Sequence, residues 1–267
     1  MKTNQIFNIN RFGKYASCSF ISNYRQTLLF WGAIWFAVLA FSLLMMRGVH
    51  SNWNNEGWIV LFLLGFYIAG LLYSGFAFSA FRSKERTLTE LMIPVSAFER
   101  LLYEFIEKIV AFIVLYPALF YVASSMAVGI RNSFAFVTKH ATVNGITTFP
   151  YETVSFNQLN SNLEPGLFGM LFMLSVLAFV LALAGSATFR KLPLIKMIVF
   201  VGLFLLTGIG YFYLLLEKLK LEKSWLTVLE NKVTALQGYH LGTTVIAFIG
   251  LIALSYTYFK LKEKEAV

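Results

Sequence analysis

Read along the chain, the apolar positions gather into long uninterrupted runs, and the polar positions gather between them. Charge-free runs fall at about 27–46, 57–81, 109–130, 166–189, 197–216 and 239–259. Each is long enough to cross a hydrocarbon layer of roughly 30 Å as a helix rising 1.5 Å per residue. The pattern therefore predicts an all-α integral membrane protein with six transmembrane helices and a single membrane domain over 1–267. No internal repeat, low-complexity linker or second soluble domain interrupts it. The first run follows 26 mixed residues and precedes no small-residue cleavage site, so it reads as a retained span and not as a signal peptide.

The segments between the runs carry their own patterns. From Ile9 to Tyr24, the apolar residues Ile9, Phe12, Ala16, Phe20 and Tyr24 recur every three or four positions, with Arg11, Lys14 and Arg25 mostly elsewhere. This spacing predicts an amphipathic helix over 1–26, lying in the membrane interface and turning into the first span as an elbow. Arg11, Phe12, Lys14 and Arg25 are its interface residues. Between the second and third spans, Pro94 ends the preceding stretch, because a residue before proline is pushed out of the α region. Ser96 and Glu99 then fit a capping box, which starts a new helix at about Ala97 that runs into the third span. Glu104 and Lys108, four apart with the acid first, support that helix as an exposed pair.

The result is a cytoplasmic elbow carrying Arg82, Lys84, Glu85, Arg86, Glu90, Glu99 and Arg100. Charges of both signs interleaved with Leu88, Leu91, Met92 and Ile93 suit a protein contact; a topology signal alone needs only Lys and Arg. The shorter connection Arg190-Lys191…Lys196 reads as a topology anchor. Asn144-Gly145 within 131–165 predicts a small hairpin or cap. The stretch 217–238 is amphipathic enough for a helix along the outer face.

Charge sets the orientation. Of the 22 Lys and Arg residues, 15 fall on the side holding both termini and the elbow, and seven fall on the other. The positive-inside bias then places both termini in the cytoplasm. Trp53 and Trp58 near outer span ends, and Tyr256 and Tyr258 near the inner end of the last, agree with interfacial belts. The weak point is the connection 217–238, with four lysines on the outer side. The net charge of +9 does not point to nucleic acid, since the bases lie beside apolar spans. Anionic lipid headgroups and another protein are the expected partners.

Composition narrows the chemistry. All 13 acids are Glu, which excludes Asp-based dyads, an Asp-terminated triad and a Walker B aspartate. One cysteine, Cys18, allows neither an internal disulfide nor a multi-thiolate metal site. His50, His140 and His240 are scattered without metal-pair spacing. No catalytic, cofactor-binding or metal constellation is therefore expected. The span interiors carry almost no ionisable groups: Glu107 and Lys108 sit at the inner mouth of the third span, and Arg47 and Glu217 at outer ends. Ion-coupled carriers and intramembrane enzymes need charge at depth, so both are disfavoured. Ala178, Ala182 and Ser186, four apart, and Gly202, Gly208 and Gly210 are expected to pack helices closely. Pro117 predicts a kink in the third span.

Three segments together resemble a known family. They are Ile9-Asn-Arg-Phe-Gly13-Lys14; Phe81-Arg-Ser-Lys-Glu-Arg-Thr87 with Glu90-Leu-Met-Ile-Pro94-Val-Ser96-Ala-Phe-Glu99-Arg100; and Gly185-Ser186 with Phe189-Arg190-Lys191. With the six-span layout, they look like the membrane permease subunits of bacterial type-2 ABC exporters, and the likeness covers nearly the whole chain. The resemblance implies residence in the bacterial cytoplasmic (inner) membrane as a homodimer, or as a heterodimer with a second permease. It also implies a separate cytosolic ABC ATPase that hydrolyses ATP, and it gives residues 82–100 the role of coupling elbow. The charged run Glu217-Lys-Leu-Lys-Leu-Glu-Lys223 departs from the apolar re-entrant helices common there. Two other readings compete: a non-transport membrane scaffold or accessory subunit of an inner-membrane complex, and a membrane enzyme using His140 or Glu152.

Overall fold

The computed structural model describes residues 7–46, 55–82, 87, 90, 92–134, 142–143, 146–147, 165–189, 195–196, 198–199, 202 and 235–266. Its helices are α1 (Ile9–Met45), α2 (Asn55–Gly75), α3 (Ala97–Phe105), α4 (Ala111–Phe134), α5 (Pro165–Thr188) and α6 (Ala235–Ala266). A 3₁₀ turn, Ser79–Arg82, follows α2, and a π turn, Ile106–Val110, joins α3 to α4. Two two-residue strands, Thr142–Val143 and Ile146–Thr147, pair antiparallel around Asn144-Gly145. Among the described residues, five helical stretches are long and apolar enough to cross a membrane: Ile9–Met45, Gly57–Gly75, Ala97–Ser133, Gly169–Thr188 and Tyr239–Lys264. The expected span at 197–216 and the outer segment 217–238 lie almost wholly outside the described residues, as do Gly208 and Gly210.

The chain packs as two compact units. One comprises Asn8–Gly70 and Val110–Asn162. Its interior is an aromatic ladder between α2 and α4, where Phe62 and Phe66 interleave with Phe112, Tyr116 and Phe120 at ring-centroid distances of 5.2–5.5 Å. Trp58 meets Phe120 edge-on, and Trp31 of α1 stacks on Phe112 at 5.7 Å. Offset and edge-to-face rings of this kind add to the burial of their large apolar area. The Tyr116 hydroxyl donates to the Phe62 carbonyl at 3.2 Å. Gly65 makes room for it, because a Cβ there would overlap the hydroxyl.

The other unit comprises Met1–Phe7, Leu71–Ile109 and Leu163–Val267. In it α5 packs on α6 through small residues. Ala182, Ala184, Ser186 and Ala187 are buried, and a Cβ at Gly242 would stand 3.2 Å from the Met170 sulfur. Hydroxyls on both helices turn back to their own backbones, as with Ser175 to the Leu171 carbonyl, Ser186 to Leu183 and Thr257 to Ala253. In hydrocarbon a hydroxyl without a partner is costly, and the carbonyl one turn back is the nearest acceptor.

One expectation about the helices needs correction. No interfacial elbow helix separates from the first span: residues 9–45 form one continuous α-helix of 37 residues. Asn8 caps its start, accepting the Asn10 and Arg11 amides at 3.0 and 3.3 Å. No proline or cap follows until Met46, and helix propagation adds a hydrogen bond for each residue ordered, so nothing stops the helix near residue 26. In the third span, Pro117 lies inside α4, and a π turn at Ile106–Val110 precedes that helix.

Candidate functional site

The segment between the second and third spans lies wholly in the second of these units, and local chemistry shapes it step by step. α2 ends at Gly75, and the chain reverses as the Phe76 and Ala77 amides donate to the Leu72 and Ser74 carbonyls. Phe78 takes a left-handed backbone conformation, φ +50°, which is costly for a bulky residue. Its amide donates to Glu104 Oε1 at 3.3 Å, and its ring is buried near Phe81. The hydrogen bond to the Glu104 carboxyl and the burial of the aromatic ring hold the strained residue in place.

Farther on, Pro94 and Val95 lead into α3. The Ser96 hydroxyl accepts the Glu99 amide at 3.3 Å, and Glu99 Oε2 accepts the Ser96 amide at 3.1 Å, which completes the capping box. Arg100 is 2% exposed and reaches back, donating through one guanidinium nitrogen to the Glu90 carbonyl at 2.9 Å and the Ile93 carbonyl at 3.1 Å. These two carbonyls lie in the turn that breaks the chain before Pro94. One buried cation therefore pins the turn to the first turn of α3.

A polar cluster lies where α3 becomes the π turn. Lys108 Nζ bonds Glu107 Oε1 at 2.7 Å, and both side chains are 13% exposed. The same ammonium sits 4.4 Å over the Tyr73 ring, and the Tyr73 hydroxyl points to Glu107 Oε1 at 3.5 Å. Glu104 Oε2 is buried without a hydrogen-bond partner. From the other end of the chain, Lys264 Nζ donates to the Ala187 carbonyl at 2.6 Å, at the last turn of α5, and lies 5.0 Å over the Phe81 ring. A cation at a helix C-terminus meets orphan carbonyls and the negative end of the helix dipole.

The elbow charges singled out by the sequence thus divide. Arg82 closes the 3₁₀ turn, while Lys84, Glu85 and Arg86 lie outside the described residues. Glu90 is half-buried. Glu99 and Arg100 are both buried, so neither charge lies on the elbow's surface: Glu99 closes the expected cap, and Arg100 donates to turn carbonyls that also accept the Ile93 and Val95 amides. Glu104 and Lys108 are corrected. They are not exposed: Lys108 bonds Glu107 and Glu104 accepts the Phe78 amide, while Glu104 and Lys108 still lie close enough to attract one another. On α1, Arg11 and Phe12 are half-buried and Lys14 and Arg25 are exposed.

Sequence reasoning missed Tyr73, Phe78 and Lys264. A tyrosine late in an apolar run and a Glu-x-x-Glu-Lys run at the mouth of the next were the available signals; nothing marked Phe78 or the reach of Lys264. Among the described residues, no group of three or more His, Cys or Glu gathers as a metal site. No family model matches the chain, no curated protein matches its sequence, and no solved structure matches its fold.

Proposed function

We propose that the chain is the membrane-spanning permease subunit of an ATP-driven exporter of the type-2 ABC class. It forms the translocation path and couples it to a separate cytosolic ATPase, as a homodimer or with a second permease. In this reading it resides in the bacterial cytoplasmic membrane with six spans and both termini inside, and ATP hydrolysis takes place in the partner. The observation that carries the reading is the braced elbow. Arg100 and the Ser96–Glu99 box hold the turn before α3, and from Ala97 to Ser133 the chain continues as one membrane-length apolar stretch. A segment so fixed passes a displacement at its surface into the third span, as alternating access driven by a cytosolic motor requires. The apolar spans, poor in groups that could carry an ion gradient, agree with energy supplied from outside the chain.

The test is affinity purification from native membranes in mild detergent, with identification of stoichiometric partners and an ATPase assay on the eluate. A co-purifying ATPase is expected, and R82E/R86E should release it or uncouple hydrolysis from transport while membrane insertion persists. An intact, monodisperse chain without an ATPase would favour the scaffold reading. Unchanged assembly and transport in R82E/R86E would remove the docking role from the elbow.

A further inference from the structure

The polar cluster at the start of the third span holds more acid than base. Glu104, Glu107 and Lys108 meet there, all within the second unit, and Glu107 Oε1 takes the Lys108 ammonium at 2.7 Å. The Tyr73 hydroxyl turns to that same oxygen at 3.5 Å. Glu104 is treated differently. Its Oε1 accepts the Phe78 amide at 3.3 Å, whereas its Oε2 is buried with no hydrogen-bond partner among the described residues.

The charges around Glu104 do not fill that gap. Lys108 attracts both carboxyls, but the acid it bonds is Glu107. Glu90 faces Glu104 with the same sign as a carboxylate there and repels it. One turn back on α3, Arg100 donates to the Glu90 and Ile93 carbonyls. On α6, which packs against α3, Lys264 bonds the Ala187 carbonyl and Lys260 bonds Glu263. Two carboxylates and one ammonium would leave a net negative charge, and the atom carrying it would have neither a donor nor a bonded counterion. A buried charge in that position is costly, a second carboxylate nearby adds to the cost, and taking up a proton removes both.

We infer that this cluster is a proton-binding site, and that at neutral pH it carries one exchangeable proton on Glu104 Oε2. The geometry selects the oxygen. A neutral carboxyl still accepts through its carbonyl oxygen, so Oε1 keeps the Phe78 amide while Oε2 holds the hydrogen, and Glu107 remains the partner of the ammonium. The proton thus sits on the one carboxyl that ties α3 to the strained reversal after α2. This holds for the braced segment whatever it docks against, and does not depend on a transport role.

The test is infrared spectroscopy of the full chain in a detergent without carbonyl groups, read at the C=O stretch of protonated carboxyls. Exposed glutamates, which lose their proton near pH 4.3, are silent there at neutral pH. A band of about one carboxyl per chain is expected, lost reversibly as the pH is raised and absent from E104Q. In E107Q the ammonium is released to bond Glu104, so the band should be lost or strongly reduced. No band in the wild type at neutral pH, a band that survives in E104Q, or one unaltered in E107Q would overturn the assignment. A second measurement needs no variant. Dicyclohexylcarbodiimide, an apolar reagent, adds whole to a protonated carboxyl: a nitrogen takes the carboxyl proton and the carboxyl oxygen bonds the central carbon. Peptide mass spectrometry should place the adduct on Glu104 at neutral pH, with less of it as the pH rises, and adducts confined to other glutamates would overturn the site.

Discussion

Two junctions invite comparison: the entry to the first span, at residues 20–30, and the entry to the third, at residues 93–108. Both combine a mixed polar segment with an apolar run, and an elbow is expected at each, from amphipathic spacing at the first and from Pro94 with the Ser96–Glu99 box at the second. Only the second breaks. There Pro94 disfavours helix at the preceding residue, Ser96 and Glu99 close a capping box, and Arg100 gives the two turn carbonyls a second, charged donor. At the first junction no residue supplies a stop, and the helix passes through Tyr24, Arg25, Gln26 and Thr27 unbroken. A change in which face is apolar does not end a helix. Ending one requires groups that satisfy the amides and carbonyls the break exposes.

The strongest way to break this contrast is to give the first junction a stop. Gln26→Pro removes the amide that bonds one turn back and clashes with the carbonyl there; the expected cost is about 3 kcal/mol. Spin labels on Cys18 and on a cysteine at Phe36, about 27 Å apart along a straight helix, should move closer in the proline variant. An unchanged distance would show that this junction was already bent or that it resists proline.

Next in size is removal of the brace at the second junction. Arg100→Ala leaves the Glu90 and Ile93 carbonyls without their charged donor and opens a gap behind α3. A loss of about 2–3 kcal/mol is expected, read by denaturant titration of the detergent-solubilised protein. Arg100→Lys should recover only part of it, since an ammonium lacks the planar fork of the guanidinium.

The smallest expected effect sharpens the comparison at the cap itself. Ser96→Ala removes one acceptor at the N-terminus of α3 and should cost about 1 kcal/mol, whereas Ser96→Thr should retain most of the stability. If Ser96→Ala matched Arg100→Ala in cost, the cap and not the buried cation would dominate the junction.

Legibility followed the range of the forces involved. The start of α3 at Ala97 was readable because Pro94, Ser96 and Glu99 act within five residues of one another. The hairpin at Asn144-Gly145 was readable for the same reason. Arg100 read as a surface charge because sequence shows its polarity but not the carbonyls it meets. Lys108 read as the partner of Glu104, because α-helical spacing was assumed where the chain forms a π turn. Lys264 meets a carbonyl 77 positions away, and no local pattern reports that.

By itself, then, the sequence determined the membrane class of this protein, five of its apolar helices, the cap of α3 and the one-sided charge of its first 55 residues. These follow from hydrophobic run length, short-range capping and charge sign, all of which are set by neighbours along the chain. Tertiary structure alone decided that Phe78 is held in a left-handed turn by Glu104, that Arg100 faces inward and that Lys264 closes the end of α5. Each of these depends on which unsatisfied polar group packing brings within bonding distance. In a protein interior a buried charge settles on the nearest group that can pair with it, and only the folded chain specifies which group is nearest.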